Sequence, residues 1–136
     1  MIRRVGALSG FLALTLAGCG LNVQSPDLFL LTRTGQGKPL TLLVSDDGSI
    51  RCNGRASKQL PDPLLIQART LASDLDNDAK AKLHIPPGRG SVAFYAIRLQ
   101  DGSISFPDNA ASQHRELAEL ELFTVRAAQQ ACGPGG

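Results

Sequence analysis

Three kinds of side chain in this 136-residue sequence could do chemistry. They are the thiols of Cys19, Cys52 and Cys132, the imidazoles of His84 and His114, and the carboxylates of Asp74-Leu75-Asp76-Asn77-Asp78. The aspartate run has the opening spacing of a calcium loop, but such a loop also needs Gly at its sixth position and Glu at its twelfth. Ala79 and Ile85 stand there, so the run reads as a solvated helix end. Each histidine lacks a second ligand at metal spacing, and both read as surface or loop residues. Neither metal nor cofactor is expected. The sequence contains no G-x-S-x-G nucleophile elbow and no phosphate-binding P-loop. Aromatic residues make up 4% and Trp is absent, which argues against stacking platforms for bases or sugars.

The fate of the thiols depends on the compartment, and the first twenty residues bear on that. Arg3 and Arg4 form a short positive start. Val5 to Leu16 is uncharged and rich in Leu and Ala. That stretch falls short of the roughly 20 helical residues needed to cross about 30 Å of hydrocarbon. It fits the apolar region of an export signal, which runs about 7–15 residues before small residues at a cleavage site. Leu16-Ala17-Gly18-Cys19 closes it. This segment resembles the lipobox of bacterial lipoprotein precursors: Leu, two small residues, then Cys. The resemblance implies that residues 1–18 are a signal peptide, that Cys19 takes a diacylglyceryl group, and that the protein sits on an envelope membrane by that anchor.

Removal of residues 1–18 leaves 136 − 18 = 118 residues, enough for one domain. Two arginines leave with the signal, so Lys+Arg falls from 14 to 12, against 12 Asp+Glu. The formal charge of +2 therefore belongs to the precursor. The remaining chain is neutral, and no nucleic-acid partner is expected. With Cys19 committed to lipid, Cys52 and Cys132 are an even pair in an oxidising compartment. They are expected to form a disulfide. The alternative is two unpaired thiols; metal binding or thiol catalysis would call for a C-x-x-C spacing or a nearby His.

The elements that would position these groups follow from periodicity. Residues 19–26 read as a short tether. A single domain is expected over residues 27–132, with a tail at 133–136. Apolar runs of strand length lie at 27–33 and 40–44. Asp46-Asp47-Gly48 is a turn signal leading to a third strand at 49–52. Asp62 and Pro63 mark a helix start. Leu64, Leu65, Ala68, Leu71, Ala72 and Leu75 then form one helical stripe, extended to about Lys82. Residues 91–100 and 103–106 form a hairpin around Asp101-Gly102. A second helix is expected from Ser112 or Gln113 to Ala131. Asp47-Gly48-Ser49-Ile50 recurs as Asp101-Gly102-Ser103-Ile104, which raises a repeat of two strand-strand-helix units.

The expected fold is therefore α+β: an antiparallel sheet of four or five strands with two amphipathic helices on one face. This order of elements is similar to that of the bacterial subtilisin-inhibitor family, notably at Leu28-Phe29-Leu30-Leu31-Thr32 and in the Tyr95-to-Phe106 hairpin. That family carries two intradomain disulfides and a cysteine-flanked reactive loop. This chain offers only Cys52 and Cys132, so no reactive-site residue carries over. The function expected is a lipid-anchored, non-catalytic binding module whose partners are the membrane and another envelope protein. The alternative is a small envelope hydrolase or an enzyme accessory or inhibitor protein. The uncovered sheet face is the expected partner surface.

Overall fold

A computed structural model describes residue 23, residues 26–35 and residues 37–133. Cys19 and the signal-like segment lie outside the described residues. Six strands form one antiparallel sheet: β1 (Asp27–Gly35), β2 (Leu40–Ser45), β3 (Ser49–Cys52), β4 (Lys58–Gln59), β5 (Ala93–Leu99) and β6 (Gly102–Pro107). Their spatial order is β4-β3-β2-β1-β5-β6. The first strand is thus central, with one hairpin on each side.

Alternation within the strands decides which face is covered. Phe29 and Leu31 of β1, Leu40, Leu42 and Val44 of β2, Tyr95, Ile97 and Leu99 of β5, and Ile104 and Phe106 of β6 are all buried. Their neighbours in sequence, such as Leu30, Thr32, Leu43, Ala96 and Arg98, are half-buried or exposed. The helices lie on the first face. In α1 (Asp62–Asp74), Leu64, Ala68 and Leu71 point inward. In α3 (Arg115–Ala127), Leu117, Leu120, Phe123, Thr124 and Ala127 do so. Phe123 meets Phe29 edge-on, with ring centroids 5.7 Å apart, a favoured aromatic geometry.

The α+β class and the antiparallel sheet match expectation, while the finer counts are six strands and three helices. The extra strand is β4, two residues long, which pairs Lys58 and Gln59 with Ile50 and Ser49 of β3. The expected first helix is broken at Leu75, beyond which α2 (Asp76–Lys80) begins. Asp, Asn and their like compete for backbone hydrogen bonds and weaken a helix interior, and four of the five residues 74–78 are of that kind. The break costs no burial, because Leu75 and Ala79 are both fully covered. Asp62 lies inside the first turn of α1 rather than capping it; Pro61 holds the cap position, with no side-chain cap bond. The second helix is likewise shorter than expected. A 3-10 turn (Asp108–Ser112) precedes α3 and a π-helical turn (Ala128–Cys132) follows it.

The two Asp-Gly-Ser-Ile hairpins use glycine for different reasons. Gly48 has φ +93, a left-handed conformation that L side chains rarely adopt. Gly102 has no such angle; a Cβ there would run into the backbone carbonyl of Ala79, so its bare Cα is what lets α2 close on β6.

Cys52 and Cys132 are bonded, their Cα atoms 5.7 Å apart across 80 residues of sequence. The bond fastens the π-helical turn after α3 to the end of β3.

Leu71 is 1% exposed beneath α1. Leu71→Ala is expected to cost on the order of 2–5 kcal/mol, read as a lowered midpoint with unchanged slope in urea unfolding.

Candidate functional site

Three groupings of chemically capable side chains emerge among the described residues. The first joins His84 to Ser105. After α2 the chain runs beside β6: the Ser105 amide donates to the Leu83 carbonyl at 3.0 Å, and the Ile85 amide donates to the Ser105 carbonyl at 2.9 Å. This short parallel bridge brings His84 Nδ1 to 2.6 Å from Ser105 Oγ. The imidazole also meets Phe94 edge-on at 6.3 Å between centroids. A hydroxyl beside an imidazole is the start of a nucleophile–base pair. Acyl transfer also needs donors aimed at the developing oxyanion. The amide of Ser105 is already committed to Leu83, so the nucleophile's own N–H is not on offer. The pair fits an edge clamp that covers part of the outer side of β6.

The second grouping lies on the covered face. Arg33, Tyr95 and Phe106 sit directly opposite one another across β1, β5 and β6. Tyr95 stacks on Phe106 with centroids 5.2 Å apart and planes 9° from parallel. Burial pushes the Tyr95 phenol up, Glu121 of α3 adds to this, and the Arg33 guanidinium beside it pulls the other way. Glu121 itself is pushed up to about 7, first by burial and then by the negative charge of Asp108. Its Oε1 and the Nε of Arg33 are buried without a hydrogen-bond partner. Asp108 accepts from the Val92 amide at 3.2 Å. This cluster holds a carboxyl that exchanges a proton near neutral pH, the range in which acid–base groups operate.

The third grouping is a groove of about 440 Å³, lined by Thr70 and Asp74 of α1 and Arg115, Glu116 and Glu119 of α3. Arg115 Nε lies 3.0 Å from Glu119 Oε1. A smaller groove of about 200 Å³ opens on the bare sheet face among Leu30, Thr32, Ala96, Arg98 and Ser105. Neither groove is lined by Glu121.

Of the residues that sequence singles out, Cys52 and Cys132 are brought together, while His84 and His114 are not. His114 lies at the N-terminal boundary of α3 beside Gln113 and Asn109. Glu121 escapes sequence reading because it flanks the apolar stripe of α3 rather than interrupting it. Arg33 did leave a trace: it falls in phase with Phe29 and Leu31, so a charge stands at an inward position of β1.

No protein-family model matches the chain, and no curated protein matches it.

The folded state retains a proton on Glu121 that the unfolded chain releases around its ordinary value of 4.5. The contribution of this carboxyl to folding stability should therefore be full at low pH and be lost as pH rises from about 4.5 through about 7. Glu121→Gln is expected to melt higher than the parent at pH 8 and to flatten the fall in melting temperature between pH 5 and 8. Equal pH slopes for the two proteins would contradict the burial assigned to this carboxyl.

Proposed function

We propose that the chain is an envelope lipoprotein: exported, cleaved before Cys19, held at a membrane by lipid on that residue, and acting as a non-catalytic binding module for another envelope component. The observation that carries the reading is the bonded Cys52–Cys132 pair. Structural disulfides persist in oxidising compartments and are rare in a bacterial cytosol. The pair therefore agrees with an export signal that lies far from it in sequence. Leu16-Ala17-Gly18-Cys19 supplies the anchor. Since one acyl chain holds only marginally and two hold stably, a diacylated Cys19 suffices for retention. Between Cys19 and Asp27 the chain reaches at most about 28 Å, so the domain works close to the membrane surface. None of the helices of the described residues is long and apolar enough to cross a membrane.

A second reading, a small envelope hydrolase, draws on the Ser105–His84 contact at 2.6 Å. It expects Ser105 to be labelled by a fluorophosphonate and the label to vanish in His84→Ala. An unlabelled Ser105 in the oxidised protein removes that reading.

The lipoprotein reading is tested by fractionation. Cys19→Ala in the full precursor should leave the protein in the soluble fraction or as an uncleaved, larger species. The parent should sediment with membranes and take up radiolabelled palmitate. Membrane retention of Cys19→Ala in unchanged amount would overturn the anchor.

A further inference from the structure

Strand register orders the bare sheet face in rows. One row runs Arg51, Leu43, Leu30, Arg98 and Ser103 across β3, β2, β1, β5 and β6. The next runs Thr41, Thr32, Ala96 and Ser105 across β2, β1, β5 and β6. Two exposed arginines therefore bracket two half-buried leucines in the first row, and hydroxyls dominate the second. The large exposed apolar side chains of the described residues lie off these rows: Ile66 on α1, Leu122 and Val125 on α3, and Val92 just before β5. The two rows thus lack the exposed aromatic or aliphatic anchor that centres most protein interfaces.

Ala96 makes a dip in the second row. Its neighbours there, Thr32 and Ser105, stand one strand to either side, about two strand spacings or 10 Å apart. Arg98 follows Ala96 by two residues along β5, on the same face, and Ser103 stands directly opposite Arg98. Together with Leu30 these side chains line the groove of about 200 Å³. Its lining holds one guanidinium and three hydroxyls and no carboxylate. Ser105 is held in place through both backbone and side chain. Its amide and carbonyl are tied to Leu83 and Ile85, and its Oγ lies 2.6 Å from His84 Nδ1. With Nδ1 as the donor, the serine keeps its own proton for the groove, and an anion there selects that tautomer. A guanidinium offers several N–H donors and so serves more than one partner at once.

We propose that this groove seats the phosphate of a phospholipid headgroup, so that the bare sheet face rests on the membrane to which Cys19 is tied. The inference rests on the lipid-anchor reading and adds a second, non-covalent contact to it. A phosphate presents several charged oxygens to donors on different sides, which is how Arg98, Thr32, Ser103 and Ser105 are set around Ala96. Headgroups are in reach. Leu30 stands three residues beyond Asp27, about 10 Å along β1, and the chain from Cys19 to Asp27 spans at most about 28 Å. Arg51 brings a second cation to the same surface, about 14 Å or three strand spacings from Arg98, and anionic lipid attracts each such side chain. Arg98 has the leading part, because the groove beside Arg51 also holds the Asp27 carboxylate. The helix layer, with Ile66, Leu122 and Val125, then faces away from the membrane.

Headgroup photolabelling tests this. The whole protein, purified from its native membrane, is reconstituted in phosphatidylcholine vesicles that contain phosphatidylglycerol and a phospholipid with a photoreactive diazirine on its headgroup. Illumination and peptide mapping by mass spectrometry then show which face meets the headgroups. The expected label falls on β5 and β6 around Arg98 and Ser103 and on β3 around Arg51, and not around Ile66 or Leu122. Arg98→Gln should reduce it about fivefold, and Arg98→Gln with Arg51→Gln about thirtyfold. Arg126→Gln, on the helix layer, should leave it unchanged. Each variant should melt as the parent does; if Arg98→Gln melts lower, Ser103→Ala and Arg51→Gln are read in its place, and each should still lower the label. The inference is overturned by label confined to the helix layer, by equal label in the parent and the groove variants, or by an equal loss in Arg126→Gln. Loss of label on adding inorganic phosphate at constant ionic strength also overturns it, since the groove then takes a free anion. Fractionation of Cys19→Ala is read separately, so failure of this contact and failure of the anchor are distinguishable.

Discussion

The covalent bond between Cys52 and Cys132 is the constraint on which the rest of this structure leans. The last helix packs its side chains on the sheet: Leu117, Leu120, Phe123 and Ala127 lie against one face. The π-helical turn after it carries Ala131 and Cys132 inward together, and the disulfide then holds that end to β3. Closing 80 residues of chain is worth about 4.5 kcal/mol in the chain-entropy model. Domains of this size are stable by only about 5–15 kcal/mol in all. A protein that depends on this bond folds fully only where the bond can form.

The one-sided sheet has a second consequence. Three helices on one face seal the core, and the row of Arg33, Tyr95 and Phe106 lies on that covered face. There Oε1 of the Glu121 carboxyl from α3 and Nε of the Arg33 guanidinium from β1 are buried without a hydrogen-bond partner. Such groups are costly to bury, and Glu121 answers by holding its proton to about pH 7. The outer surface of the same helix layer carries the opposite arrangement: Ile66, Leu122 and Val125 are exposed there.

Much of the fold was legible in the sequence because burial leaves a period. The apolar runs read at residues 27–33, 40–44 and 91–100 hold strands β1, β2 and β5, and Leu64, Ala68 and Leu71 make one stripe. What escaped left no period. The two residues of β4 are polar and exposed and join the sheet through backbone bonds alone. The break at Leu75 was hidden because Leu75 and Ala79 continue the apolar spacing across it. The repeated Asp-Gly-Ser-Ile reads alike twice, yet one glycine serves a left-handed turn and the other a close backbone approach. The Cys52–Cys132 pairing was legible as the one pair left once Cys19 was set aside. The Glu121 cluster and the Ser105–His84 contact were not, because both join residues far apart in sequence that only the tertiary fold brings together.

The central claim is that export, lipidation at Cys19 and closure of the Cys52–Cys132 bond belong to one maturation. Its most direct test is the intact mass of the protein taken from its native membrane and alkylated without reductant. The account predicts a chain beginning at Cys19, increased in mass by a diacylglyceryl group and its acyl modification, with no alkyl group added. A mass that retains residues 1–18, or one that carries two alkyl groups on Cys52 and Cys132, would contradict it.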